Sequence, residues 1–387
     1  MQGINPKILT WAREQSGFLL SDISAHFKKE PDFIRDWENG SSTPSFPQLE
    51  KLARKYKRPT ALFFFPEIPD ETSINHSFRT LPEQEIAHIK PHLRYIIRKA
   101  KAMQINLFEL NNGVNPSKKQ LLHSIDIKNR SIDEVAENLR SFIEIDLNEQ
   151  KTYKKSENAF KKWRNTLEQH GIFVFKDSFK DDGVSGFCLY DTVFPVIYIN
   201  NSLPHSRQVF TLFHELAHLL FGIDGIEMLS NNENYLNELP DRDKKIEVFC
   251  NAFSSKFLVP DPAFEEYIKS EVNDRNLENI AKQFAVSREV ILRKFLDNHK
   301  IDANFYKHKV RQWKKEYETS PVNKNKSSGG NPNYTKKVYL GEHYMELVFS
   351  QYYNNNISTQ QLADYLYVKV SRIPKMESLI FEEGGRL

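Results

Sequence analysis

Residues 211–220 read Thr-Leu-Phe-His-Glu-Leu-Ala-His-Leu-Leu, and the His-Glu-x-x-His within them is the stretch best equipped for chemistry. On an α-helix, positions i and i+4 share a face, so the imidazoles of His214 and His218 can reach one metal ion. Glu215 lies one step round, where its carboxylate can touch a water on that ion without being a ligand. The chemistry implied is hydrolysis assisted by a divalent metal. Two histidines and a glutamate in an otherwise apolar helix need partners, because a buried charge left alone is costly.

A hydrolytic zinc site takes three protein ligands and keeps one position open. Glu247 is the leading third ligand, since it opens the largely apolar run Glu-Val-Phe-Cys-Asn-Ala-Phe-Ser-Ser-Lys-Phe-Leu-Val-Pro, where a solitary carboxylate needs a reason. Glu238, Asp241 and Asp243 are rivals by distance, although solvation in a polar loop also explains their charge. Asn251, four residues beyond Glu247 and on the same helical face, is expected to accept the distal N–H of a ligand histidine and fix its ring. His205, Arg207 and Tyr235 are the options for an oxyanion donor, with Arg207 equally at home in a structural ion pair.

The elements that must position these groups follow from periodicity. Residues 172–175, 186–190 and 196–200 are short β-branched and aromatic runs bounded by Gly, Asp and Pro, and they read as strands. A helix over 207–221, stopped by Gly222, carries the paired histidines. An acidic loop over 224–243 leads to a second helix over 244–257, which ends before Pro260. Strands beside such helices give an α+β catalytic region at 171–262.

Upstream, residues 1–70 read as five short helices at 7–15, 20–27, 32–39, 45–56 and 60–65. Leu9, Leu19, Leu20, Ile23, Phe27, Ile34, Trp37, Leu49 and Leu52 supply their core. Ser21 is the expected cap of the second, and the arrangement resembles a Cro/repressor-type helix-turn-helix. Residues 71–170 form a helical connector containing Ser-Phe-Arg-Thr at 77–80, with a long helix over 81–112 that Pro91 is expected to kink. Downstream come a basic helical module at 263–318 with a second helix-turn-helix look, a flexible linker at 319–337, and a helical module at 338–387.

Composition narrows the classes. The chain has 387 residues, room for two or three domains, and its 39% apolar content with 28 Phe excludes a disordered or fibrous protein. A net charge of +3 is too small to argue nucleic-acid binding for the whole molecule, but residues 276–340 hold 14 Lys/Arg against 6 Asp/Glu. That local +8 suits a nucleic-acid or acidic-partner surface as well as it suits a solvated linker. The two cysteines, Cys188 and Cys250, read as reduced, and neither a signal peptide nor an apolar run of membrane-spanning length is visible. The expected location is the cytoplasm.

Two longer patterns carry a family resemblance. Arg-x-x-Phe-Thr-x-x-His-Glu-Leu-x-His over 207–218, and Glu-x-x-x-Asn-x-Phe-x-x-x-Phe-Leu-Val-Pro over 247–260, resemble the ImmA/IrrE family of metallopeptidases. The helix-turn-helix upstream and the Gly-Gly linker with its helical tail resemble longer members of that family. The resemblance implies a mainly α, multi-domain chain. It would comprise an N-terminal five-helix helix-turn-helix, an α+β zincin-like metallopeptidase core and helical C-terminal helix-turn-helix-like modules. It implies Zn2+, or another divalent metal such as Mn2+, on His214, His218 and Glu247, with Glu215 as general base. It also implies a protein partner, a helix-turn-helix repressor or a cognate toxin, in a stress, prophage or toxin–antitoxin setting. Two positions depart from the family pattern: Ala217 stands where glycine is frequent, and Cys250 where alanine is.

Double-stranded DNA and a second copy of the chain are the other partners the modules suggest. Glu30, Asp32, Asp36 and Glu38 surround Arg35 in the N-terminal module and oppose docking on a phosphate backbone. Lys282, Arg288, Arg293 and Lys294 make the module at 276–297 the better charged reader. Two function classes therefore stand: a regulatory endopeptidase, and a DNA- or toxin-binding, antitoxin-like regulator that uses the peptidase fold as scaffold.

Overall fold

The computed structural model describes residues 3–71, 89–228, 239–319 and 331–381. The Ser-Phe-Arg-Thr connector at 77–80 and residues 320–330 of the expected linker lie outside the described residues. The fold is mainly helical with one small sheet, and it divides into two compact units, residues 1–101 with 179–181, and the remainder.

The first unit contains α1 (Pro6–Gln15), α2 (Leu20–Phe27), α3 (Pro31–Glu38), α4 (Phe46–Tyr56) and a 3-10 turn (Thr60–Phe64). Local chemistry sets their starts. The Asn5 side chain accepts from the Lys7 N–H, and Pro31 stands in the first turn of α3, where no N–H is needed. The Ser45 N–H donates to Gln48 Oε1 at the head of α4. The cap of α2 is Leu19 rather than Ser21: its N–H donates to Asp22, its backbone is extended and its side chain is 69% exposed, so it is not a core residue. Ile8, Leu9, Ile23, Ile34, Trp37, Leu49 and Leu52 are buried together, with the Arg13–Glu38 ion pair at 2.7 Å beside them.

Helix α5 (Pro91–Leu110) is not kinked by its proline. Pro91 is its first residue, where the ring pre-sets φ and no hydrogen bond is lost. The helix stops at Asn112 and Gly113, both at positive φ, and the Gly113 N–H returns to the Phe108 carbonyl at 2.8 Å.

The second unit continues with α6 (Leu121–Ser124), α7 (Ile132–Ile143), α8 (Leu147–Thr152), α9 (Ser156–Gln169), β1 (Phe173–Asp177), β2 (Val184–Leu189), β3 (Val196–Asn200), α10 (His205–Leu220), β4 (Gly225–Met228) and α11 (Asp241–Leu258). After α12 (Asp261–Phe264) come α13 (Asp274–Phe284), α14 (Arg288–Asp297) and α15 (Ala303–Thr319). Helices α16 (Pro332–Leu340), α17 (Glu342–Tyr353), α18 (Thr359–Tyr365) and α19 (Ile373–Phe381) complete it. The expected linker therefore gives way to helix at Pro332. The expected acidic loop likewise begins with a strand, β4, and Asp241 and Asp243 form the first turn of α11 rather than a loop.

The sheet order is β1-β3-β2-β4, with β1 parallel to β3 and β2 antiparallel to both β3 and β4. Both faces are covered, so β1, β2 and β3 read as nearly unbroken apolar runs. Phe175, Tyr198 and Phe187 face one side, where Tyr344 of α17 packs edge-on to Phe175. Val174, Ile197, Ile199 and Cys188 face the other, in one apolar cluster with α10 and α11. That cluster runs without a break from Leu121 through Trp163, Phe213 and Phe257 to Ile291, Phe295 and Trp313. Stretches that differ in sequence character thus share one core.

Lys176 of β1 is caught on the covered face. Its ammonium lies 3.7 Å from the centre of the Phe160 ring, with no carboxylate in ion-pair range among the described residues. Burial above all, with Arg164 nearby, pulls it from 10.5 down to about 7. Because the folded value is below the unfolded one, the cost of burying the ammonium is full below about pH 7 and fades as pH rises toward 10.5. Lys176→Met should therefore be more stable than the parent at pH 6, by on the order of a few kcal/mol. Thermal melts should show that gain shrinking to nothing near pH 10; a gain independent of pH would exclude this origin.

Candidate metal centre

Helices α10 and α11 pack side by side, and their contact builds the site. Pro204 and Pro240 precede them, and Gly222, at φ 70°, follows α10. Helix α10 is buried along most of its length, Thr211 to Leu219 without interruption, between the sheet, α9 and α11. Phe213 meets Phe257 of α11 at 4.3 Å between ring centres and Trp163 of α9 at 5.2 Å, which fixes the rotation of α10.

That rotation turns His214, Glu215 and His218 inward, each at most 1% exposed, and Glu247 comes from α11 to meet them. His214 Nε2 and His218 Nε2 are 3.2 Å apart; Glu247 Oε2 is 3.4 Å from the first and Oε1 is 3.3 Å from the second. Atoms bound tetrahedrally to zinc at about 2.1 Å sit about 3.4 Å from one another, close to the separation of the two rings and of each ring from its own Glu247 oxygen. Among the described residues it is the group of His, Cys, Asp or Glu side chains able to hold a metal ion, and neither Asp241 nor Asp243 belongs to it. Buried carboxylate oxygens left without a hydrogen bond point the same way: Glu247 Oε1, which an ion would take, and both oxygens of Glu215, which a water on that ion would reach.

The electrostatics are those of acids and bases forced together out of water. Burial raises the Glu215 carboxyl to about 8, with Glu227 and Glu247 adding to the effect and His214 and the neighbouring Cys188 thiol opposing it. For His214, burial works against the charged ring, yet Glu227, Glu247 and Glu215 outweigh it and lift the ring to about 9. Burial wins at His218, which falls to about 4. Burial pushes Glu247 up, but His218 and His214 together hold it below its ordinary value. A divalent cation would satisfy all three ligand atoms at once.

Several sequence expectations need revision. Asn251 does share the face of Glu247, but its side chain is exposed and bonds to neither ring, so it does not orient a histidine. Lys294 is 2% exposed with its ammonium 2.6 Å from Asp261, and so is unavailable to DNA. Arg293 pairs with Asp297 at 2.9 Å, Arg288 lies over the Trp313 ring, Lys282 pairs with Glu278 at 2.8 Å, and Arg35 pairs with Asp32. His205 is the half-buried first residue of α10, while Tyr235 and Glu238 lie outside the described residues. Both cysteines are free and buried, and burial pushes the Cys250 thiol well up.

Sequence reasoning also missed residues. Glu227 of β4 is 5% exposed, bonded to Arg207 at 2.5 Å, and acts on both histidines and on Glu215. Gly225 of the same strand makes room for a ligand, since a Cβ there would stand 2.4 Å from His218 Cγ. The signal for both was Gly-Ile-Glu-Met directly after the histidine helix.

A helix pair with His-Glu-x-x-His on one member and a glutamate on the other is the kind of site that zinc hydrolases use. Residues 167–296, which include both helices and the sheet, match the family model Peptidase_M78, described as an IrrE N-terminal-like domain. No curated protein matches the chain significantly. No helix among the described residues is long and apolar enough to cross a membrane.

Gly225→Ala should push the His218 ring from its place. Competition with a chromogenic chelator should then show metal affinity lower by roughly tenfold or more, the usual scale for disturbing a ligand's support. Affinity equal to the parent's would mean that His218 tolerates the methyl or does not ligate.

Proposed function

We propose that the chain is a metal-dependent regulatory endopeptidase that cuts a protein partner, with His214, His218 and Glu247 holding the ion and Glu215 as general base. The observation that carries this reading is the convergence of His214, His218 and Glu247, with contacts of 3.2–3.4 Å between their ligand atoms, beside a fully buried Glu215. The peptidase family match over the same residues supports it.

When bound, zinc, or another divalent ion such as Mn2+, supplies Lewis-acid polarisation of the scissile carbonyl and lowers the pKa of an attacking water. Glu215 takes the proton of that water on a carboxylate oxygen and delivers it to the departing amine. Without the ion, burial raises Glu215 to about 8; the charge of a bound divalent cation would lower it again, leaving a carboxylate able to take a proton near neutral pH. Arg207 holds Glu227 in place by their ion pair, which keeps that carboxylate's field on the His214 ring.

The partner we propose is a helix-turn-helix repressor or a cognate toxin, in a stress, prophage or toxin–antitoxin setting. What supports this is the likeness of the N-terminal helices, and of the longer motifs, to peptidases of that kind. The alternative of a DNA-binding regulator loses Lys294, which is buried against Asp261, while Lys282 and Arg293 stay exposed in weak ion pairs along their own helices.

The roles separate by substitution. His214→Ala and His218→Ala should each lower metal content from about one ion per chain to near none by elemental analysis. Glu215→Gln should keep the ion and lose hydrolysis of the partner by roughly a hundredfold or more. Metal loss in Glu215→Gln as deep as in His214→Ala would overturn the division of labour.

A further inference from the structure

We propose that a cavity of about 370 Å³ beside the metal ligands is the subsite for a large apolar side chain flanking the cleaved bond, with Asn251 binding the substrate backbone at its lip. The proposal rests on the peptidase reading above and adds to it the residue class that the site selects.

The cavity continues the surface that carries the ligands. On α10 it is lined by Phe210 and Arg207, four and seven residues before His214. On α11 it is lined by Asn251 and Ser255, four and eight residues after Glu247, with Val248 and Ala252 alongside. Those spacings put each set on the same helical face as its ligand. Phe210, in the wall, lies 6.4 Å from the His214 ring, centre to centre, so the cavity adjoins the ligands and would take a side chain near the reacting carbonyl. The third wall is α14, which presents Glu289, Arg293 and Asp297 at successive turns, with Val290 between them and Tyr306 beyond.

The chemistry of the lining selects the occupant. The two cations are matched, Arg207 by Glu227 and Arg293 by Asp297, so neither is free to recognise an acidic side chain. Glu289 accepts from the Tyr306 hydroxyl at 3.3 Å and is the one carboxylate of the lining that no cation pairs with among the described residues. What is left is apolar surface on Phe210, Val248, Val290 and the Tyr306 ring. The volume lies within the roughly 300–1,000 Å³ of sites that enclose small organic groups, ample for Phe, Leu or Met. Asn251 is exposed at the edge and, among the described residues, bonds to nothing in the chain. Its amide can both donate to and accept from an extended peptide backbone.

The test uses the full-length, zinc-loaded protein and two probes with the same chelating head: acetohydroxamate, and 4-phenylbutanohydroxamate, which adds an apolar arm. Calorimetric titration should show the armed probe binding roughly 10–100-fold tighter, as burial of an aromatic group implies. Ala252→Trp fills the cavity from α11, and Val248→Trp fills it from a half-exposed position that tolerates bulk. In whichever of these stays folded by circular dichroism and carries zinc, the ratio of the two affinities should fall to near one. Equal affinities in the parent, or a ratio that survives in the folded, zinc-loaded variants, would overturn the subsite. Failure of zinc or of acetohydroxamate to bind the parent would remove the metal centre, and the subsite with it.

Discussion

Everything in the second unit turns on one close approach: two imidazole nitrogens 3.2 Å apart, each within 3.4 Å of one oxygen of the same carboxylate, inside an apolar core. Left alone, such a cluster costs several kcal/mol in desolvation. It persists because the surrounding packing leaves α10 and α11 no other arrangement. Phe213, Phe257 and Trp163 lock the helices in rotation, and Gly186 lets β2 lie close against Thr211, where a Cβ would stand 2.5 Å from its methyl. Aromatic packing thus holds polar groups in a geometry they would not choose.

Around the ligands lies a second layer of charge that neither histidine contacts directly. Glu227 hangs from an edge strand of the sheet, is tied to Arg207, and acts with Glu247 to make His214 the more basic ring. His218, one turn along, is governed by burial instead and stays the weaker base. Two residues of one motif on one helix face thus differ in character because of what packs behind each.

The legible parts of this structure were those set by local spacing. His214 and His218 could be paired from sequence because four residues on a helix fix their separation, and Glu247 because a carboxylate in an apolar helix needs a counterpart. The strand at 225–228 was illegible: Gly-Ile-Glu-Met has no alternation of its own and becomes a strand by pairing with β2 across a bulge. Asn251 lies on the face the spacing gave it, but that face runs past the ligands into a cavity, which only the position of α14 reveals. Lys294 looked like one member of a basic cluster. The inward face of α14 is visible in its apolar stripe, yet nothing local says that a lysine there would be buried against Asp261.

The continuity of the core bears on how such a chain can be inherited and rearranged. Ile280, Phe284, Ile291 and Phe295 belong to the same apolar cluster as the helix that carries the histidines. The segment from 263 onward is therefore no appendage that recombination could exchange for another reader head. Severed at 262, the remaining piece would present a raw greasy flank where α13 and α14 had been, and one side of its cleft would stand open to water. The smallest piece that keeps this core whole runs from about Leu121 to Trp313, metal-ligand helices and basic helices together.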